Sequence, residues 1–300
     1  MIVPSSRNHL IILPENIKSL CNLKTLNLSY NSLTSLPSGL VLMTSLQTLI
    51  LSNLYLAVLP EDLGLLVNLK VLEIRDNYIT SLPDSLSELV NVQRLDLGNN
   101  GIKSFQSDVS KLTKLEELLL DSNKLVEITP SIGNLTNLTF LDISENLLES
   151  IPEELKNCVN LTNLYISDNK IQSLLDNLFQ LPKLSNFIVA NNSITSLPET
   201  IGQCENLEEF VMSHNQILSL PSQICQLQNL QYLGLGNNCI NDLPEKLAEL
   251  KSLSVLDLKN NALEALPDNL GDCTSLTVLD VRGNLIQFLP HSFTNHPKIR

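Results

Sequence analysis

Apolar residues recur along this chain at two alternating spacings. Leu26 and Leu28 lie two residues apart, and the apolar positions that follow, Leu36, Leu40 and Met43, lie three or four apart. A period of two predicts a short strand, whereas a spacing of three or four predicts a turn of α- or 3₁₀-helix. The pattern therefore predicts a unit made of a strand, a turn and a short helical segment.

The same unit recurs with a period of 23 residues. In most units a proline stands six positions after the repeated asparagine, and the exceptions are Gln106, Thr129 and Leu175. Because the register never slips, the series predicts a single domain over residues 1–300, with about 12 to 13 repeats and no linker. The strand is followed by asparagine in a series of 13 units that only Leu54 interrupts: Asn8, Asn31, Asn77, Asn100, Asn123, Asn146, Asn169, Asn192, Asn215, Asn238, Asn261 and Asn284.

The repeated asparagine has a structural explanation. A buried side-chain amide can bond backbone groups of its own repeat and of the neighbouring repeat where the chain leaves the strand. Successive asparagines would then form a ladder, and the strands would pair in parallel into one continuous sheet.

The pattern L-x-x-L-x-L-x-x-N-x-L-x-x-L-P resembles the leucine-rich repeat, and the resemblance covers essentially the whole chain. It implies an α/β fold: a curved, horseshoe-shaped solenoid with a parallel β-sheet on its concave face and short helices or 3₁₀ turns on its convex face. The 23-residue form is most similar to the intracellular Ras-group repeats of the Shoc scaffold and of Scribble- and Erbin-type polarity proteins.

This resemblance implies a function in protein binding. We expect a cytoplasmic signalling scaffold that binds partner proteins, plausibly a small GTPase or a phosphatase subunit, on the concave face. Two alternatives remain open: the ligand-binding part of a receptor or immune sensor, and the targeting region of a larger enzyme. No functional residue can be transferred from the family, because the matching positions are core and turn positions.

Neither end of the chain contains a recognisable cap. Val3 and Ser5 stand where Leu26 and Leu28 stand in the next repeat, and the last repeat begins at Ile299. Solenoids need polar terminal repeats to cover the core. We therefore expect a piece of a longer protein; the alternative is that partly ordered ends suffice.

Net charge and cysteine usage narrow the range of partners and compartments. The formal net charge is -13, which disfavours nucleic acid and anionic membrane as partners. Cys158, Cys204 and Cys273 occupy the same repeat position and are predicted to be stacked core residues. Since the cysteines show no paired framework, we expect a reducing, cytoplasmic environment and a monomeric chain.

The strand positions that flank the inward leucines are predicted to face the concave side. Arg75, Lys259 and Arg282 are interpreted there as neighbours of Glu73, Asp257 and Asp280, with mutual neutralisation. An acidic group with no basic neighbour on this face predicts a partner with a basic contact surface; the alternative is a face that keeps the chain soluble. This acidic group comprises Glu117, Asp121, Asp142, Glu145 and Asp168.

A strip of apolar and aromatic residues crosses the same face. Exposed apolar patches that contain aromatic residues are typical of protein-binding centres, so a contact site is predicted here. The alternative is that these residues merely suit a β-sheet. The predicted strip comprises Leu119, Phe140, Tyr165, Ile188, Val211 and Tyr232.

Motifs for catalysis and for cofactor binding do not occur in the sequence. The four histidines share no repeat face with both a nucleophile and a carboxylate, and there is no Gly-rich phosphate loop, H-E-x-x-H motif or paired C-x-x-C motif. We therefore expect a chain that is not an enzyme and that binds no cofactor or metal.

Overall fold

The computed structural model describes residues 2–4, 6–105 and 109–299. The chain forms two compact units: unit 1 comprises residues 1–148 and 157–159, and unit 2 comprises residues 149–156 and 160–300. Both units are built from the same repeat, so that each turn of the chain contributes one short strand and one short helical segment.

Unit 1 contains seven three-residue strands among its described residues, and neighbouring strands pair in parallel and in chain order. Each residue pairs with the residue 23 positions further along, as Leu95 does with Leu118. This register is the predicted repeat register. The strands are β1 (Ile2–Pro4), β2 (Thr25–Asn27), β3 (Thr48–Ile50), β4 (Val71–Glu73), β5 (Arg94–Asp96), β6 (Glu117–Leu119) and β7 (Phe140–Asp142).

Unit 2 repeats the arrangement with six parallel strands among its described residues, again in chain order. Phe187 of the second strand pairs with Phe210 of the third, and their rings stack 5.5 Å apart inside the core. The strands are β8 (Asn163–Tyr165), β9 (Asn186–Ile188), β10 (Glu209–Val211), β11 (Tyr232–Gly234), β12 (Val255–Asp257) and β13 (Val278–Asp280).

The helical segments are all 3₁₀-helices in the described part of the chain. Most of them directly follow a proline, which is itself extended and whose ring fixes its φ, as at Pro37 and Pro83. The predicted α/β leucine-rich-repeat solenoid is confirmed. The segments are Glu15–Ser19, Ser38–Leu42, Leu63–Leu65, Asp84–Glu88, Val109–Lys111, Pro130–Asn134, Glu153–Asn157, Asp176–Gln180, Glu199–Gln203, Ser222–Gln226, Glu245–Glu249, Leu270–Asp272 and His291–Asn295.

The core is a series of leucine layers. The middle residue of a typical strand is fully buried, as Leu118 is, and the residue two positions later, such as Leu120, is buried as well. The three cysteines predicted to stack in the core, Cys158, Cys204 and Cys273, are buried, and all six cysteines are free thiols.

The predicted asparagine ladder is confirmed. Asn123 accepts the backbone N–H of Ile102 at 3.0 Å and donates through Nδ2 to the carbonyls of Leu97, Leu120 and Asp121. The amide thus bonds the backbone of its own repeat and of the preceding one. Equivalent bonds recur in both units, for example from Asn238 to Met212 and Leu235.

The ladder is interrupted at Leu54, which is buried in place of an asparagine. In the described residues, the backbone N–H of Leu33 then lacks the side-chain acceptor that Leu56 N–H finds in Asn77, at 3.1 Å. A buried N–H without an acceptor reduces stability. This repeat therefore departs from the local rule that the others obey.

The chain leaves each strand through a left-handed turn. The residue before the asparagine position has a positive φ in repeat after repeat, including Tyr30, Asp76, Glu145 and Asp168. Asn, Asp and Gly tolerate this conformation best, and they occupy many of these positions. Residues at this position therefore lie in the turn and not within a strand.

Candidate functional site

The candidate site lies on the face of the strands that points away from the leucine layers. The first and third residues of a typical strand are half-buried, on either side of the fully buried middle residue. We call the surface that they form the strand face, and it corresponds to the face predicted to be concave.

Four of the predicted strip residues come together in unit 2. Tyr165, Ile188 and Val211 are the third residues of β8, β9 and β10, and they lie directly opposite one another in the strand register. Tyr232 is the first residue of β11. All four side chains are half-buried rather than exposed, and we call them the unit 2 strip.

Tyr232 is part of the unit 2 strip because a glycine, Gly234, occupies the third position of its strand. Gly234 lies opposite Val211, and a Cβ built on it would stand 2.9 Å from Cε1 of Tyr232 and 3.1 Å from Cγ1 of Val211. The aromatic ring therefore fills the space above Gly234, beside Val211. Burial raises the pKa of the Tyr232 hydroxyl, and the carboxylate of Asp257 adds to this effect.

Polar groups surround the unit 2 strip. Asn163, Asn186 and Glu209 begin the same strands, while Asp168 is exposed in the turn after β8. An apolar centre inside a polar rim is the common anatomy of a protein-binding surface. The strip therefore has the composition of such a surface.

Two of the expected charge pairs are present in unit 2. Lys259 Nζ lies 3.4 Å from the Asp257 carboxylate, and Arg282 Nε donates to Asp280 at 2.9 Å. The hydrogen bond from Arg282 lowers the pKa of Asp280 to about 2. These lysine and arginine side chains are neutralised within their own repeats, as predicted.

The predicted strip residues of unit 1, Leu119 and Phe140, have a different setting. Leu119 lies between Asp96 and Asp142 in the strand register, and Phe140 lies opposite Glu117. Both side chains are half-buried. In unit 1 these apolar residues thus alternate with carboxylates and form no uninterrupted apolar column.

The expectation that the acidic group has no basic neighbour is wrong in unit 1. Arg75 Nη1 donates to Asp121 at 3.0 Å, and its Nε donates to Asp96 at 3.1 Å. Arg94 is bonded to Glu117 and, at 3.2 Å, to Glu73. Long arginine side chains reach across strands, which a repeat-by-repeat reading of the sequence does not take into account.

The expected pairing of Arg75 with Glu73 is also wrong. Arg75 passes over Gly98, where any Cβ would collide with the guanidinium group, and so reaches Asp121 two repeats away. The hydrogen bond to Asp121 raises the pKa of Arg75 further above its usual value. Gly98, in the intervening repeat, is therefore what permits this ion pair.

Asp142 is half-buried at the end of β7. Burial raises its pKa, and the nearby charge of Asp121 adds to the rise, although the backbone N–H of Ser144 donates to its Oδ1 at 3.0 Å. Glu145 is exposed in the following turn and accepts a hydrogen bond from Ser122 at 2.8 Å. Asp142 thus carries its charge at a cost to the folded state.

Two other kinds of feature are absent from the described residues. No group of three or more His, Cys, Asp or Glu side chains there is arranged to hold a metal ion. In the same part of the chain, no helix has the length and apolar character needed to cross a bilayer.

Comparison with protein families identifies the repeat. The model of a leucine-rich repeat region matches residues 59–189 and 217–296, and the model of the single leucine-rich repeat matches residues 22–43 and 206–227. The chain belongs to the leucine-rich-repeat family. Members of this family typically act as protein-binding modules, and this chain is expected to be one in that general sense.

Solved leucine-rich-repeat structures resemble the chain closely. A leucine-rich-repeat protein of Leptospira interrogans is 33% identical, with 93% of this chain and 77% of that one covered and a TM-score of 0.81. An internalin of Listeria monocytogenes is 26% identical, with 98% and 84% covered and a TM-score of 0.88.

A third similar structure is the ectodomain of the receptor kinase GASSHO1/SCHENGEN3 of Arabidopsis thaliana, in complex with CASPARIAN STRIP INTEGRITY FACTOR 2. It is 26% identical, with 91% of this chain and 40% of that one covered and a TM-score of 0.57. A comparison with curated proteins gives no significant match. The Ras-group subtype is not established by these similarities.

Sequence reasoning missed a second surface of this leucine-rich-repeat protein. Tyr30, Tyr55 and Tyr78 lie in three successive repeats of unit 1, and their exposed fractions are 50%, 52% and 61%. They line a groove of about 490 Å³ together with Asn53 and Asp76. Three of the five tyrosines of the chain fall in these successive repeats, and this clustering was the available signal.

Proposed function

We propose that the chain is a protein-interaction scaffold of the cytoplasm that binds a partner protein on the strand face of unit 2. The observation that carries the proposal is the unit 2 strip. Tyr165, Ile188 and Val211 stand in register on adjacent strands, and the ring of Tyr232 closes the gap above Gly234. Tyrosine side chains at the centre of an interface, surrounded by other contacts that exclude water, supply much of the binding energy in many complexes.

The rigidity of the strands supports this proposal. The side chains of the unit 2 strip stand on strands whose middle residues are fully buried, so that little conformational freedom would be lost on binding. A partner with a basic contact surface would suit Asp168, Glu209 and the acidic net charge of the chain. The resemblance to Ras-group repeats suggests a small GTPase or a phosphatase subunit as that partner.

The cytoplasmic location is supported by the thiols. Cys21 and Cys239 are exposed and free, and free exposed thiols persist most readily in a reducing compartment. The competing proposal, a receptor ectodomain, is favoured by the similarity to GASSHO1/SCHENGEN3. Immunolocalisation of the endogenous protein decides between them, because a receptor ectodomain must appear at the cell surface or in the secretory pathway.

The binding site is tested by affinity capture from cytosol with the wild type and with the double variant Tyr165→Ala/Val211→Asp. Val126→Asp is the matched control, since Val126 is exposed in unit 1 outside the strand face. We expect the wild type and the control to capture the same proteins and the double variant to lose them. Circular dichroism and urea unfolding establish that all three proteins are folded.

A captured protein is then purified and its footprint is measured by hydrogen exchange. Amides in and beside β8–β10 should gain protection in the complex. Capture that survives in the double variant, or protection confined to other repeats, would contradict the proposed site.

A further inference from the structure

The tyrosine-lined groove of unit 1 is separate from the unit 2 strip, and it has its own chemistry. Tyr30, Tyr55 and Tyr78 account for three of the five tyrosines in the chain. The rings of Tyr55 and Tyr78 are stacked, with centroids 6.1 Å apart and an angle of 22° between their planes. Large rigid side chains with a polar end are the residues that recognition surfaces favour, because they lose little entropy on binding.

One end of the groove shows what kind of group these rings accept. The guanidinium carbon of Arg7 lies 5.4 Å from the centroid of the Tyr30 ring. This is the geometry of a cation–π interaction, in which the planar cation is attracted by the negative face of the ring. The chain itself thus places an arginine on the first tyrosine of the series.

The other end of the groove contains a carboxylate that no cation neutralises among the described residues. Asp76 accepts hydrogen bonds from Asn53 Nδ2 at 2.8 Å and from Asn99 Nδ2 at 2.6 Å, one on each oxygen. Both donors are neutral amides, so they orient the carboxylate without cancelling its charge. Asp121 and Glu117 differ in this respect, because Arg75 and Arg94 neutralise them.

The asparagine ladder is interrupted at this groove. Leu54, which interrupts the asparagine ladder, is one of the residues that line it. This repeat lacks the asparagine hydrogen bonds of the ladder, and tyrosine side chains form the surface beside it. Departures from a local rule often mark functional surfaces, since stability alone does not select them.

We propose that this groove binds an arginine-containing segment of a partner protein. A guanidinium group of the partner packs on the rings of Tyr55 and Tyr78 and pairs with the carboxylate of Asp76, as Arg7 already packs on Tyr30. The net charge of -13 attracts such a segment to the chain, and the rings make the groove selective for arginine over lysine. The proposal does not depend on the unit 2 strip.

The probe is a fluorescein-labelled hexa-arginine peptide, whose binding is followed by fluorescence anisotropy at physiological salt. Hexalysine carries the same charge without the planar group, and hexacitrulline keeps the planar shape without the charge. We expect hexa-arginine to bind at least about fivefold more tightly than hexalysine, and hexacitrulline not to bind. Equal affinities for arginine and lysine would overturn the proposal.

Variants of the groove locate the binding. Tyr55→Ala/Tyr78→Ala and Asp76→Asn should each weaken hexa-arginine binding about tenfold, whereas Tyr55→Phe/Tyr78→Phe should change it less than about twofold because the rings remain. Asp84→Asn removes an equal charge from an exposed 3₁₀ segment of unit 1 and should have little effect. If Asp84→Asn weakens binding as much as Asp76→Asn does, the attraction is merely general, and the proposal fails. Unchanged affinity in the alanine variant would also refute it.

Discussion

Arg75 reaches across the intervening strand and bonds Asp121, which lies two repeats further along the chain, with Nη1 donating at 3.0 Å. The guanidinium group lies over Gly98 and also bonds Asp96. The three repeats that contain β4, β5 and β6 are thereby linked by one side chain. We therefore expect this ion pair to contribute to the stability of the three repeats that it links.

Replacement of Arg75 should destabilise unit 1. In Arg75→Gln, Asp121 loses its cation and Asp96 keeps only Arg94, and we expect a decrease of about 1 to 2 kcal/mol in the free energy of unfolding, because both carboxylates are largely buried. Urea unfolding at pH 7 measures this decrease in the free energy of unfolding. Lys246→Gln is the control: Lys246 and its partner Glu249 are both exposed, so its loss should leave the urea midpoint unchanged. An equal effect of the two substitutions would show that burial of the pair does not matter.

The asparagine ladder should contribute measurably to stability. Asn123→Leu reproduces in another repeat what Leu54 does naturally, and it leaves the N–H of Ile102 without its acceptor. We expect the free energy of unfolding to fall by about 2 to 4 kcal/mol, since a buried amide with four hydrogen bonds is lost. Asn137→Ala removes one exposed hydrogen bond and should change it by less than about 0.5 kcal/mol. A small effect at both positions would contradict this role.

Asp142 should destabilise the folded state at neutral pH. Its pKa is raised by burial, so the folded state binds the proton more tightly than the unfolded state does, and stability falls as pH rises through the unfolded and then the folded pKa. We therefore expect Asp142→Asn to raise the melting temperature at pH 7 and to have no such effect below the unfolded pKa of about 3.9. Melting curves between pH 3 and 7 test it, and a stabilisation that persists at the acid end would point to another cause.

Asp280, in contrast to Asp142, should stabilise the folded state at neutral pH. The hydrogen bond from Arg282 lowers its pKa to about 2, so its contribution is present above the unfolded pKa of about 3.9 and is lost as pH falls towards 2. Asp280→Asn should therefore lower the melting temperature at pH 7 and leave it unchanged near pH 2. A pH-independent difference would show that charge is not responsible.

The reactivity of the thiols should divide the six cysteines into two classes. Burial raises the pKa of Cys158 and Cys204 to about 12 and that of Cys225 to about 11, whereas Cys21 and Cys239 are exposed. A thiol reagent should therefore react rapidly with two thiols in the folded protein and with all six in urea. Mass spectrometry assigns the sites, and rapid labelling of Cys158 in the folded state would be inconsistent with the buried layers.

The candidate site was only partly predictable from the sequence. The unit 2 strip follows from periodicity, because each of its side chains occupies a position beside the buried middle residue of a strand. The charges of unit 1 were read incorrectly, because pairing was assigned within a repeat while Arg75 and Arg94 bond residues one and two repeats away. The tyrosine groove was missed because its residues occupy turn positions, whose exposure no periodic pattern reveals.

The sequence by itself determined the repeat, its register, the leucine layers and the asparagine ladder. These features depend on backbone geometry and on burial, and both recur with the period of 23 residues. Only the tertiary structure decided which charges neutralise one another and which aromatic rings meet. Arg75 reaches Asp121 because Gly98 leaves room, and Tyr55 stacks on Tyr78 because adjacent repeats bring their turns together. Such contacts depend on the reach and direction of individual side chains, which the periodicity of the sequence does not specify.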